Sequence, residues 1–561
     1  MIRRVLSLSA LVLAAPLLAP AVTPLAAQGP SAPSALQTRA ERTGYAETSS
    51  YADVIAFIDA LEKAAPGKMV RGSIGTTTQG KVLPYLVVSR PLVRTPAEAK
   101  RSRKPVVYVQ GNIHGGEVEG KESLQALLRD LVLDPKPNAL DSIVLIAVPI
   151  YNADGNEAWG PQETQRSEQD GPALVGQRPN ASSWDLNRDY IKNEAPETLA
   201  SLKMFTTWDP DVFVDLHTTN GSYHGYALTY SPSLHPAAMT GALAPSGPWT
   251  RDTLLPELRR RVRARHGVET FDYGNFSGRG NTRDDPASLE KGGWVTYEHK
   301  PRFGTNYYGL RGRISVLSEA YSHDPFETRV KATTAFVGEL LSYLGEQGRT
   351  VLARTRAGSE RLAAGNPARV PIRAEMTKSP FDAPVLVELL QPMGDTLRHE
   401  AGVRKGFKRT RKFTPVTMPV YDRFDATLTQ TIPGAWVLDS SMTPIIERLR
   451  AHGVVAQRLA KPWTGAGEAF MIDSVVKSPR EFQGHREVRL EGRWAGARMT
   501  LPVGTWVVPG RQELALVAAI MLEPQSDDGF TTWNFLDPQL TVGGAHPVRR
   551  SLAPIPLPAA R

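Results

Sequence analysis

Hydrophobic positions along the chain change period several times, and the changes mark elements. Apolar residues recur at helical spacing over Tyr51 to Ala64. Leu83 to Val88, Pro105 to Gln110, Ile143 to Val148 and Asp211 to Leu216 are short runs rich in Val and Ile, as strands buried on both faces are. Between the second and third of these, Glu117 to Val132 carries apolar residues at Val118, Leu124, Leu127, Leu128 and Leu131, an amphipathic helix. Strand, helix, strand is the pattern of a parallel sheet. Asp252 to Arg265 and Glu327 to Leu344 read as helices, with a strand at Arg313 to Leu317 just ahead of the second. The expected fold is α/β over residues 45–346, with a mixed, mostly parallel sheet and helices on both faces.

After about residue 350 the texture becomes strand-like, at Val385 to Leu390, Ala435 to Leu438, Glu487 to Leu490 and Leu514 to Met521, with Gly and Pro between. Residues 350–561 therefore read as a β-rich accessory region. Upstream, Arg3 and Arg4 precede an apolar stretch from Val5 to Val22, and small residues around Ala26 offer a cleavage point. That is an export signal over residues 1–27, followed by a Pro- and Ser-rich linker over 28–44. The expected location is periplasmic or extracellular, with no stable membrane span once the signal is removed.

Composition narrows the chemistry. The chain has 561 residues, 41% apolar and 22% charged, typical of a globular protein. It has no cysteine, which excludes thiol catalysis and Cys-ligated metals. The net charge is +9, with a dense run at Lys405, Lys408, Arg409, Arg411 and Lys412. Such a run is ordinarily a solvated loop, and no nucleic-acid motif accompanies it.

The sharpest local signal is Gly111-Asn112-Ile113-His114-Gly115-Gly116-Glu117, directly after one expected strand and before a helix. Ligands of open α/β sheets bind beyond the carboxyl ends of strands. His114 and Glu117 can aim a nitrogen and an oxygen donor at one point, and His217 ends another buried strand. Two His and one Glu with an open fourth position form a recognised catalytic zinc set. His224, His235, His299 and His323 lack this placement and read as non-ligands. Asp154, in Asp154-Gly155, reads as turn chemistry.

His114-Gly-Gly-Glu117, Trp184-Asp185-Leu186-Asn187-Arg188-Asp189-Tyr190, the strand ending in His217, and Glu319 in Val316-Leu317-Ser318-Glu319-Ala320 occur in a fixed order. Together they resemble the zinc carboxypeptidase A family over residues 45–346. The resemblance implies one zinc per chain held by His114, Glu117 and His217, and Glu319 as general base. It implies that Asn187 and Arg188 anchor the substrate's terminal carboxylate and that Asp185 orients His114. An oxyanion-stabilising arginine is implied at Arg178, with Arg166 as competitor. A substrate-capping tyrosine is implied at Tyr307 or Tyr308, with Tyr297 as a further candidate. The expected substrate is a peptide, or peptide-like molecule, with a free C-terminal carboxylate. The alternatives are a zinc amidase or deacylase acting on cell-wall peptides or acylated amino acids and, remotely, a non-catalytic polymer-binding protein.

Overall fold

The computed structural model describes residues 36–219, 221–241, 243–277, 292–365, 368–395, 403 and 405–557. The expected export signal and most of the expected linker lie outside these residues. An eight-stranded sheet forms the centre, in the order Met69–Thr76, Val82–Val88, Val144–Val148, Val106–Gly111, Val212–Thr218, Ile314–Ala320, Leu228–Pro232, Thr270–Asp272. The four inner strands from Val144–Val148 to Ile314–Ala320 run parallel. Antiparallel pairs join them to the outer strands on either side. These inner strands are buried at every position, which is why they read as continuous apolar runs rather than alternating ones.

Helices Glu119–Leu133 and Phe326–Glu346 pack together on one face of the sheet. Helix Pro196–Trp208 lies against Met69–Thr76, and helix Gly304–Leu310 against Ile314–Ala320. A further helix, Gly348–Ala363, starts after a single intervening residue. Its Thr355 hydroxyl donates to Asp211 at 2.9 Å, so the chain stays on the α/β unit past the boundary expected near 350. Residues 36–44 are not a free linker either. Leu36, Thr38 and Ala40 are buried, and Arg129 donates to the Leu36 carbonyl at 3.1 Å.

The remainder is β-rich, with a six-stranded sheet containing Trp463–Lys477, Val488–Leu501 and Ala435–Leu438 among its strands. One expectation fails here. Leu514 to Met521, read as strand, is the helix Ala515–Leu522. Every residue of that helix is buried, and a helix that is apolar all round has no periodicity to distinguish it from a buried strand. The basic run is not wholly solvated: Arg409 is buried and donates to Glu388 at 2.7 Å and Asp324 at 3.0 Å. One apolar core continues from Val54 and the central sheet into Trp436, Ile446, the 515–522 helix and Trp533. Among the described residues no helix is long and apolar enough to cross a membrane.

Candidate metal centre and cleft

The centre is built at the carboxyl ends of neighbouring parallel strands. Strand Val106–Gly111 breaks at Asn112, whose φ of 64° a short polar side chain tolerates. The Asn112 amide then donates to the carbonyls of His114, Gly115 and Glu117 at 3.1–3.2 Å, folding the loop around itself. Gly115 is required by close approach, since a Cβ there would meet the Gly155 carbonyl carbon at 2.3 Å. The result places His114 and Glu117 beside His217.

Ligand atoms of His114, Glu117 and His217 all lie within 4.8 Å of one another, and all three residues are buried. His114 Nδ1 is 2.9 Å from Glu117 Oε1, His217 Nδ1 is 2.9 Å from Glu117 Oε2, and the two Nδ1 atoms are 3.3 Å apart. The far nitrogens face carboxylates. His114 Nε2 lies 3.0 Å from Asp185 Oδ1, and His217 Nε2 lies 3.0 Å from Asp215 Oδ2. A carboxylate behind each imidazole fixes the tautomer that leaves Nδ1 free to bind a cation. Two imidazole nitrogens and a carboxylate, nearly dry and convergent, suit zinc.

Burial pushes the Glu117 carboxyl up, but the His114 and Arg166 charges outweigh it and hold it well below the usual range. For His217 burial works downward, and Asp215 and Glu117 overcome it, raising the imidazole well above its ordinary value. Both shifts mark a site built for positive charge. Glu319 behaves oppositely. It pairs in register with His217 across parallel strands, yet burial raises its carboxyl to about 8 against the pull of His217.

A cleft of about 480 Å³ opens on these groups. Arg166, Arg178 and Arg188 all line it. Arg166 is largely committed, donating to Glu117 at 3.0 Å and to the carbonyls of Thr218 and Thr219 at 3.1 Å each. Arg178 is more open, with its side chain 38% exposed; it donates to Asp185 at 2.9 Å and to Glu117 at 3.3 Å. Asn187 and Arg188 sit on a short turn that Asp185 caps by accepting the Asn187 N–H at 2.9 Å. The Asn187 amide oxygen accepts the Gly304 N–H at 2.9 Å, and the Arg188 guanidinium lies 4.0 Å from the Phe303 ring centre. The nearest ion pair of Arg188 is a long one, 3.8 Å to Asp185.

Tyr307 and Tyr308 are not brought to the cleft. Both are fully buried in helix Gly304–Leu310. Tyr307 hydrogen-bonds His452 at 2.6 Å, and Tyr308 stacks on Phe205 at 4.0 Å. The tyrosines that wall the cleft are Tyr297 and Tyr273, their rings 5.7 Å apart edge to face. Tyr273, Phe303 and Asp215 escaped sequence reasoning. Asp215 alone carried a signal, since it sits two residues before His217 on the same strand face. Asp154 lies outside the cleft, holding Lys81 at 2.9 Å and Thr77 at 2.8 Å.

An open α/β sheet with two histidines and a glutamate converging at its strand ends, beside an underpaired acid, defines a metal-dependent hydrolase. The family model described as zinc carboxypeptidase, Peptidase_M14, matches residues 54–303. Residues 54–303 thus correspond to a zinc carboxypeptidase domain. The matched stretch contains His114, Glu117, Asp185, Asn187, Arg188 and His217, and stops short of Glu319. Carboxypeptidase 2 of Trichophyton equinum is 22% identical over 484 residues, covering 84% of this chain and 81% of that protein. Carboxypeptidase 2 of Trichophyton rubrum is 21% identical, with the same shares covered. A solved metallo-carboxypeptidase from Burkholderia cenocepacia is 17% identical, covers 53% of this chain and 70% of that one, and has a TM-score of 0.37.

Proposed function

We propose that the protein is an exported zinc carboxypeptidase that removes the C-terminal residue of peptides. The observation that carries this is the meeting of the His114–Glu117–His217 donor set with Arg188, a cleft-facing guanidinium whose nearest ion pair is long. A planar guanidinium matches a carboxylate with two parallel hydrogen bonds, so Arg188 and Asn187 would hold the substrate's free end. Zinc bound by His114, Glu117 and His217 would supply a water nucleophile near neutral pH and polarise the scissile carbonyl. Glu319 takes the water proton as the oxygen–carbon bond forms and delivers it to the leaving nitrogen as the carbon–nitrogen bond breaks. Asp185 holds His114 in its ligating tautomer. Arg178, the more exposed of the two arginines beside Glu117, faces the developing oxyanion.

In this reading the catalytic unit spans 45–363 rather than ending near 346, and the β-rich region follows. Export rests on the N-terminal pattern of Arg3, Arg4 and the apolar stretch after them. The test is a peptide panel with terminal-residue release measured alongside metal content. One zinc per chain and stepwise release from free C-termini, both abolished by chelation and restored by zinc, are expected. Activity surviving complete metal removal overturns the reading.

A further inference from the structure

The turn carrying Asn187 and Arg188 does not stand alone. It interlocks with the turn 302–304. Gly304 donates its N–H to the Asn187 side chain at 2.9 Å, Tyr190 donates its N–H to the Arg302 carbonyl at 3.3 Å, and Phe303 stacks on Arg188. Gly304 has to be glycine, since a Cβ would meet the Tyr190 ring at 2.7 Å. The second turn is in turn gripped from far along the chain. Asp528, fully buried, accepts the Arg302 N–H at 2.7 Å on one oxygen and the Arg302 guanidinium at 2.8 Å on the other. The Trp533 indole donates to Asp528 at 3.0 Å, and Glu487 takes the other side of the guanidinium at 2.6 Å. Gln483, from the same C-terminal region, accepts the Asp185 N–H at 2.9 Å, at the start of the Asn187–Arg188 turn.

We infer that Asp528 is a positioning residue for the substrate-carboxylate anchor, acting through Arg302 and Phe303 on Arg188, so that the β-rich C-terminal region completes the binding site rather than merely accompanying it. A buried carboxylate that fixes both the backbone and the side chain of one residue leaves the adjoining ring a single position. Removing either bond lets Phe303 and Arg188 shift, and displacement of a positioning group by an ångström weakens substrate recognition severely. The inference rests on the reading of Arg188 as the anchor.

The experiment uses the full-length, zinc-loaded chain and a peptide with a free terminal carboxylate. Asp528→Asn keeps the shape but loses one acceptor and the charge. It is expected to raise KM about tenfold with kcat nearly unchanged and one zinc retained. In an Arg188→Ala background the same substitution is expected to add little, because the two act through one contact. An unchanged KM, or effects that simply multiply, overturns the inference while leaving the carboxypeptidase reading intact. A wild-type chain that releases no terminal residue, or an Arg188→Ala variant with unaltered KM, removes the anchor reading and this inference with it. If Asp528→Asn does not fold, Gln483→Ala and Phe303→Leu carry the test: a several-fold rise in KM supports the positioning role, and unchanged KM in both overturns it.

Discussion

Buried charge serves opposite ends in the two parts of this chain. In the C-terminal region Glu523 is buried, yet its oxygens take the Arg550 guanidinium and the Trp436 indole N–H, the latter at 2.8 Å. Burial raises that carboxyl, while the guanidinium against it pulls the other way. In the cleft, Glu319 is also buried, at 9% exposure against 1% for Glu523, but its carboxylate accepts no hydrogen bond among the described residues. Its charged neighbours, His217, Arg166 and Arg178, act across space rather than by contact. An acid locked into a guanidinium and an indole has nowhere to send a proton. An acid left underpaired beside a metal site is free to exchange one. The contrast separates the part of the buried charge that builds the molecule from the part that works.

The comparison breaks first at Glu319. Glu319→Gln keeps the volume and removes the proton acceptor, so kcat is expected to fall by about 10² to 10⁴, the usual contribution of general acid–base catalysis. Zinc content measured on the same preparation stays at one per chain. A variant that retains more than a tenth of the rate contradicts the assignment, and lost zinc would show Glu319 to be part of the metal site. The opposite behaviour is expected at Arg550. Arg550→Met strands the Glu523 carboxylate in the core, and breaking such a pair destabilises by about 3–5 kcal/mol. Denaturant unfolding should show that loss while kcat/KM in the folded population stays near wild type. A variant equally stable, or stable but inactive, would dissolve the distinction.

Much of the first region could be read from residues alone, and the reasons are physical. The strands ending near Gln110 and Leu216 are buried on both faces, so their apolar runs are unbroken and their ends are sharp. A histidine at such an end is placed by the sheet, whatever happens elsewhere. Met69–Thr76 was missed because it is an outer strand with a half-exposed, broken burial pattern. Tyr307 and Tyr308 misled because nearness to Glu319 along the chain says nothing about which way a helix turns its side chains. Gly304–Leu310 turns both inward, onto His452 and Phe205. Tyr273 and Asp528 had no local signature at all. Each matters only through contacts with residues far away in sequence, and a tyrosine just past a strand or a turn aspartate looks the same wherever it lands.

The smallest effect is also the finest test of the contrast. Burial raises the Glu319 carboxyl from 4.5 to about 8 in the protein without metal. A bound dication nearby favours the carboxylate and draws that value back down. The base works only when ionised, so the rate falls as pH drops through its pKa. The acid limb of kcat/KM for the zinc enzyme is therefore expected to have its midpoint above 4.5 and below 8. Replacing Leu317, which shares the cleft wall with Glu319, by Ser should wet the site and move that midpoint down by about half a unit to one unit. A midpoint already at or below 4.5 in the wild type would mean that Glu319 is as well solvated as a surface acid. The underpaired acid would then differ from Glu523 in its partners but not in its surroundings, and desolvation would drop out of the account of the cleft.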